Sequence, residues 1–146
     1  MNRSQGGRTL ALKNAKVLAP HDGWINGWLG YAYYRVGNLQ SARAICEESP
    51  VGFLSGFCLA LVYEKLGQHA DARSMLAKLQ ASWGEAGSVF YAEIYAEWGD
   101  DARALQNLET ALRRHDSYLT NIRTRFFSLR GNPRFQAIER ALNFPS

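Results

Sequence analysis

Cysteine is scarce in this chain of 146 residues, with two in all. Cys46 and Cys58 form no Cys-x-x-Cys pair, and no histidine stands at metal-ligand spacing from either. They read as two buried thiols acting as small hydrophobes. No apolar run approaches the ~18 residues of a membrane span. Met1 to Gly7 lack the apolar stretch of a signal peptide, so a cytoplasmic location is expected. No strand pattern competes with the helical ones. Catalytic signatures are missing as well. Gly27 and Gly30 lie within a helix pattern rather than a phosphate loop. No Glu-x-x-His pair offers a metal site, and no serine sits in a G-x-S-x-G turn. The three histidines, His21, His69 and His115, fall at predicted loops or helix ends. His115-Asp116 could be drawn as a base and its orienter, but a turn histidine beside an N-cap explains both. The chain is therefore expected to be no enzyme, with no cofactor, no metal and no catalytic residue.

What is present fits one folded domain. Apolar residues make up 47% and charged residues 21% of the chain, as in globular proteins. The net charge is +4. After residue 112, Arg113, Arg114, Arg123, Arg125, Arg130, Arg134 and Arg140 face only Asp116 and Glu139. Such a tail could meet nucleic acid or an acidic protein, although a solvated helix face is the commoner explanation.

Three segments share one pattern. Tyr33, Gly37 and Ala42 recur as Tyr63, Gly67 and Ala72, and again as Tyr95, Gly99 and Ala104. Further columns fall into register: Leu29, Leu59 and Tyr91; Gly30, Ala60 and Ala92; Cys46, Leu76 and Leu108. The copies recur after 30 and then 32 residues, the signature of a stacked repeat. Leu29, Gly30 and Tyr33 share one helix face. Ala42, Ile45, Cys46 and Ser49 share a face of a second helix. The glycines between them suit a left-handed residue that ends the first helix. Small residues at 30/60/92 and 42/72/104 let two backbones approach. Each copy is thus expected to be a helix hairpin. Helices are predicted over 8–19, 24–36, 39–49, 53–66, 69–82, 87–98, 101–114, 117–129 and 133–143. Asp116 and Asn132 are expected N-caps, with Pro133 at the first helical position. Residues 1–7 read as a flexible leader, and 8–146 as a single domain with repeats near 23–52, 53–84 and 85–116 between capping helices.

The segments "WLGYAYYRVGNLQSARAICEESP", "CLALVYEKLGQHADARSMLAKL" and "FYAEIYAEWGDDARALQNLETAL" resemble the tetratricopeptide repeat, with periods shorter than that family's 34. Pro50 comes early and is expected to clip the second helix of the first copy. The resemblance implies an all-α, right-handed solenoid of antiparallel helix pairs. The closing segment "LRGNPRFQAIERALNFP" is similar to the tails of bacterial proteins in which such repeats follow a cyclase, winged-helix or kinase domain. That implies that Ser146 is a natural C-terminus and that the chain could be the regulatory end of a signalling protein.

In stacked helix pairs the first helices line an inner surface. That register places Trp24, Tyr31, Tyr34 and Arg35 on the face, then Phe57, Leu61, Glu64 and Lys65, then Val89, Glu93 and Glu97. Aromatics with flanking charges suit a peptide or helix, although Tyr31 and Phe57 could instead pack between neighbouring repeats. The cations that would hold a peptide's terminal carboxylate are missing at Gly27, Tyr31, Phe57, Leu61, Val89 and Glu93. The expected partner is a protein or peptide, with no membrane. The alternatives are a nucleic-acid module acting through the C-terminal arginines around Phe126 and Phe127, and self-association through the N-terminal helix.

Overall fold

The computed structural model describes residues 3–49 and 52–142, and among these every regular element is helical. The α-helices are α1 (Arg3–Leu18), α2 (Gly23–Arg35), α3 (Leu39–Glu47), α4 (Phe53–Lys65), α5 (His69–Trp83), α6 (Ser88–Glu97), α7 (Asp101–Arg113), α8 (Ile122–Arg125) and α9 (Pro133–Ala141). Short 3₁₀ turns occupy Gly84–Gly87, Ser117–Asn121 and Phe127–Leu129.

One turn is used repeatedly. Gly37, Gly67 and Gly99 have φ of +84°, +82° and +83°, a region open to glycine at no steric cost. At the first turn the Asn38 N–H donates to the Tyr33 carbonyl at 2.9 Å and the Gly37 N–H to that of Tyr34 at 3.0 Å. The same two bonds recur from Gln68 to Tyr63 (2.8 Å) and Gly67 to Glu64 (3.1 Å), and from Asp100 to Tyr95 (2.8 Å) and Gly99 to Ala96 (3.0 Å). This is the Schellman closure of a helix C-terminus. The repeated tyrosine is therefore also the residue whose carbonyl receives the outer bond. Asn38 and Asp100 then cap the next helix through their side chains, accepting from Ser41 and Arg103. The end of α7 uses the same closure without glycine. His115 has φ +54°, and Asp116 and His115 donate to Ala111 and Leu112, each at 3.1 Å.

The contacts divide the chain into two compact units, residues 1–79 and 80–146. In the first, α1 packs on α2, α2 on α3 and α4, and α3 on α4. These helices approach closely because small residues meet. A Cβ on Gly27 would stand 2.4 Å from the Leu54 Cβ, and one on Gly30 2.1 Å from the Cys46 sulfur. Cys46 and Cys58 are both free and buried, and the hydrogen bond to Cys46, with burial, pushes the Cys58 thiol well above its ordinary range. In the second unit α6 packs on α7 and α7 on α9. Its core joins Val89, Leu105, Leu108, Leu119, Ile122, Phe126, Leu129, Phe135 and Ile138.

Two expectations change, and a third falls on a residue that is not described. Helix α1 already runs from Arg3, within the stretch read as a leader. Residues 117–129 form no continuous helix. Leu119, Ile122, Phe126 and Leu129 are all buried as their spacing requires, but Thr120 and Thr124 donate to the carbonyls of Ser117 and Asn121. Such local bonds compete with the helix ladder, and Phe126 leaves it at φ −116°, ψ 46°. Pro50 lies outside the described residues, although α3 does end at Glu47.

Candidate functional site: an aromatic row on α2

Asp22 opens α2 by accepting from the backbone N–H groups of Trp24 (2.9 Å) and Ile25 (3.0 Å). That cap sets the helix phase at its first turn. Trp24, Trp28, Tyr31 and Arg35 then follow at i, i+4, i+7 and i+11, one side of the helix. Trp24 meets Trp28 edge to face at 5.9 Å, and Trp28 meets Tyr31 at 6.0 Å. Tyr31 stacks on Tyr34 at 6.3 Å and touches Phe57 of α4 at 5.5 Å. The Arg35 guanidinium lies 5.9 Å from the Tyr31 ring centre. Trp24 is 57% exposed, while Trp28 and Tyr31 are half-buried and Arg35 is exposed. The row exists because Gly27 and Gly30 pack toward α4 and α3, which leaves the large rings on another side.

Such a row offers flat, rigid area whose ring contacts hold it in place before anything binds. Its one charge is the guanidinium at the C-terminal end of α2, placed to meet a carboxylate or a main-chain carbonyl.

The other expected residues sit differently. Phe57 and Leu61 are buried and line no open surface, because every residue from Leu54 to Val62 is buried. Tyr34 is buried beneath Tyr31. Lys65 is exposed and Glu64 half-buried. Burial opposes the charge on Glu64, but hydrogen bonds from His69 (2.8 Å) and Arg73 (2.9 Å) outweigh it and hold the carboxyl below its usual range. In the second unit Val89 and Glu93 are buried and Glu97 half-buried. Arg125 donates to Glu93 through two nitrogens, at 3.2 and 3.0 Å, and its guanidinium lies 5.0 Å from the Phe90 ring centre. Glu93 is thus a partner for an internal arginine and does not face a ligand. Trp28, which the inner-face register passed over, belongs to the row; its signal was the four-residue step from Trp24.

Three of the seven C-terminal arginines are paired with acids within their own unit. Arg123 pairs with Glu139 at 3.0 Å, Arg125 with Glu93, and Arg134 with Glu109 at 2.6 Å. From Gln80 onward acidic and basic residues are equal in number, so the whole net charge of +4 belongs to the first unit. That weakens the case for a nucleic-acid surface there, since such binding rests on excess cations. No helix among the described residues is long and apolar enough to cross a membrane. No family model, curated protein or solved structure matches this chain.

Proposed function

We propose that this chain is a tetratricopeptide-like binding module that takes up a peptide or helical segment along the Trp24–Trp28–Tyr31 row, with Arg35 directing one end. Its action is binding without turnover. The observation that carries this reading is the row itself: three large rings on one helix face, held by mutual contacts, with Trp24 exposed and Trp28 and Tyr31 half-buried. Aromatic and arginine side chains dominate binding energy at protein interfaces. A surface already rigid before binding keeps the ordering cost low. The repeated turns support the helical-repeat class. The closing segment supports a setting at the C-terminal end of a cytoplasmic bacterial signalling protein.

Selection from a displayed random-peptide library, followed by titration of tryptophan fluorescence, tests the reading. The wild type should enrich a defined peptide class. Trp28→Ala/Tyr31→Ala, checked for unchanged helicity, should weaken those peptides by roughly thirtyfold or more, the loss of a binding hot spot. Equal affinity for the two proteins would move the site elsewhere.

A further inference from the structure

The row on α2 restricts the conformation of any segment laid along it. Among the described residues every regular element is helical, so they offer no strand edge to an extended β-segment. An amphipathic helix seats its apolar face in a groove, and the neighbours of α2 supply no wall for one. Phe57, where α4 meets Tyr31, is 1% exposed. Helix α1 packs on the opposite side of α2, where Lys13 lies over the Tyr33 ring and Lys16 reaches Asn26.

The polar groups of the row are donors. An indole N–H and a guanidinium can donate a hydrogen bond and cannot accept one. Among the described residues the side chains of Trp24, Trp28 and Arg35 make their contacts with rings, which leaves their N–H groups for a ligand. The chain that matches a row of donors is one that only accepts. Proline has no N–H, and the carbonyls of a polyproline II segment are unbonded within the segment. Shape agrees with this. Trp24 and Trp28 meet at 82°, and Trp28 and Tyr31 at 74°. Rings that meet edge to face leave a notch at each contact, and proline rings dock in aromatic-lined notches. Trp24 to Tyr31 covers about 10 Å along the helix axis, the rise of about three residues of polyproline II. Arg35 stands about 6 Å further on, the rise of about two more.

Charge gives the segment one acidic end. The first unit carries the whole net charge of +4, and Arg35 is the cation of the row. Asp22, at the other end of α2, is engaged in its cap and would repel an acid there.

Resting on the α2 row as the binding surface, we infer that its ligand is a proline-rich segment in the polyproline II conformation. Its rings occupy the notches on either side of Trp28, its carbonyls face the indole N–H groups, and an acidic residue lies at the Arg35 end.

The test is fluorescence anisotropy of labelled peptides titrated with the full chain. The probes are six prolines followed by glutamate, six prolines followed by glutamine, and a glycine-serine peptide of equal length ending in glutamate, all blocked at both ends. The wild type should bind the proline probes at least tenfold more tightly than the glycine-serine one. Trp28→Ala should weaken the proline probes roughly thirtyfold, as loss of a hot spot does. Trp24→Ala, at an exposed position, should weaken them in the same direction with the circular dichroism spectrum unchanged. Arg35→Gln should lower affinity for the glutamate probe by up to about fivefold, the scale of an exposed ion pair, and leave the glutamine probe as it was. Equal affinity for proline and glycine-serine probes overturns the inference. So does proline binding that neither tryptophan variant changes. An Arg35→Gln effect of equal size on both proline probes overturns the acidic end. If peptides selected from a library bind through Trp28 and Tyr31 while the proline probes do not bind, the row stands as a site and the polyproline assignment falls. If no peptide of either kind depends on the row, both fall.

Discussion

Up to Leu79, helices meet across glycine and sulfur: Gly27 lies on the backbone of Leu54, and Gly30 on Cys46 and Cys58. From Gln80 onward the core is filled by bulk, with Phe126, Phe135, Leu105 and Ile138, and is crossed by the Glu93–Arg125 pair. Both units use the same Schellman turn and the same capping step. The difference teaches that the repeated turn fixes how two helices reverse, while the filling between them is free to vary. Where backbones meet directly, the large side chains are displaced outward, as on α2. Where side chains fill the gap, Phe90, Tyr91, Phe126 and Phe135 are buried, while Trp83, Tyr118 and Phe127 stay exposed and join no such row. What distinguishes the first unit is that its rings lie in one row along a single helix.

The comparison can be broken first at the ion pair. The side chains of Glu93 and Arg125 are 2% and 15% exposed. Removing one partner leaves a charge stranded, so Arg125→Ala should cost about 3–5 kcal/mol in urea unfolding of the full chain. Glu93→Leu/Arg125→Met should recover most of that loss, because a buried pair is often replaceable by apolar bulk. A cost for Arg125→Ala below about 1 kcal/mol would show a pair no stronger than a surface one.

In the first unit the largest loss should come from adding a methyl group. Gly27→Ala puts a carbon 2.6 Å from the Leu54 carbonyl carbon, where only a shift of the whole helix helps, and a loss of about 1–3 kcal/mol is expected. Gly30→Ala collides first with the Cys46 sulfur. Its cost should shrink when Cys46→Ala accompanies it, since the obstructing atom is then gone. If the two changes are simply additive, the sulfur is not what bounds that approach.

Much of this was legible in the residues. Gly37, Gly67 and Gly99 announced their turns because a left-handed residue needs glycine. Asp116 and Asn132 announced their caps, and their side chains accept from Tyr118 and Arg134 as expected. The small residues at Gly30 and Ala42 were readable as a close approach, and a Cβ on Gly30 would lie 3.4 Å from the Ala42 carbonyl. Gly27 was not, because a glycine inside a helix pattern reads as a weakness until its neighbour is known. Helical register placed Phe57, Leu61 and Glu93 on a face but could not say what covers it. The arginines looked unanswered because their acids lie far off along the chain. Glu93 is 32 residues from Arg125, and Glu109 is 25 from Arg134.

The fourth turn sharpens the comparison at smaller scale. His115 stands at φ +54° where the other closures have glycine. A side chain in that conformation costs about 1–2 kcal/mol. His115→Gly should therefore stabilise the chain by up to about 1 kcal/mol, the remainder being offset by glycine's greater freedom when unfolded. Gly67→Ala should destabilise by a similar amount. Loss of stability in His115→Gly would mean that the imidazole makes a contact worth more than the strain it causes.

The smallest effect concerns Tyr63, the repeated tyrosine of the second copy. Its hydroxyl donates to Glu47 at 2.9 Å, and burial together with that bond pushes its ionisation up to about 12. An unfolded tyrosine ionises near 10. The folded state thus holds its proton longer, and the contribution is complete below about pH 10 and fades as pH rises toward 12. Other groups titrate in the same range, so the useful quantity is a difference. Relative to Tyr63→Phe, the wild type should lose stability between pH 10 and 12 and hold a constant offset below that window. Glu47→Gln should narrow the effect, since an amide still accepts the hydroxyl but no longer opposes the phenolate with a full charge. A wild-type and Tyr63→Phe offset that stays flat through pH 12 would place the phenol in open solvent and detach it from Glu47.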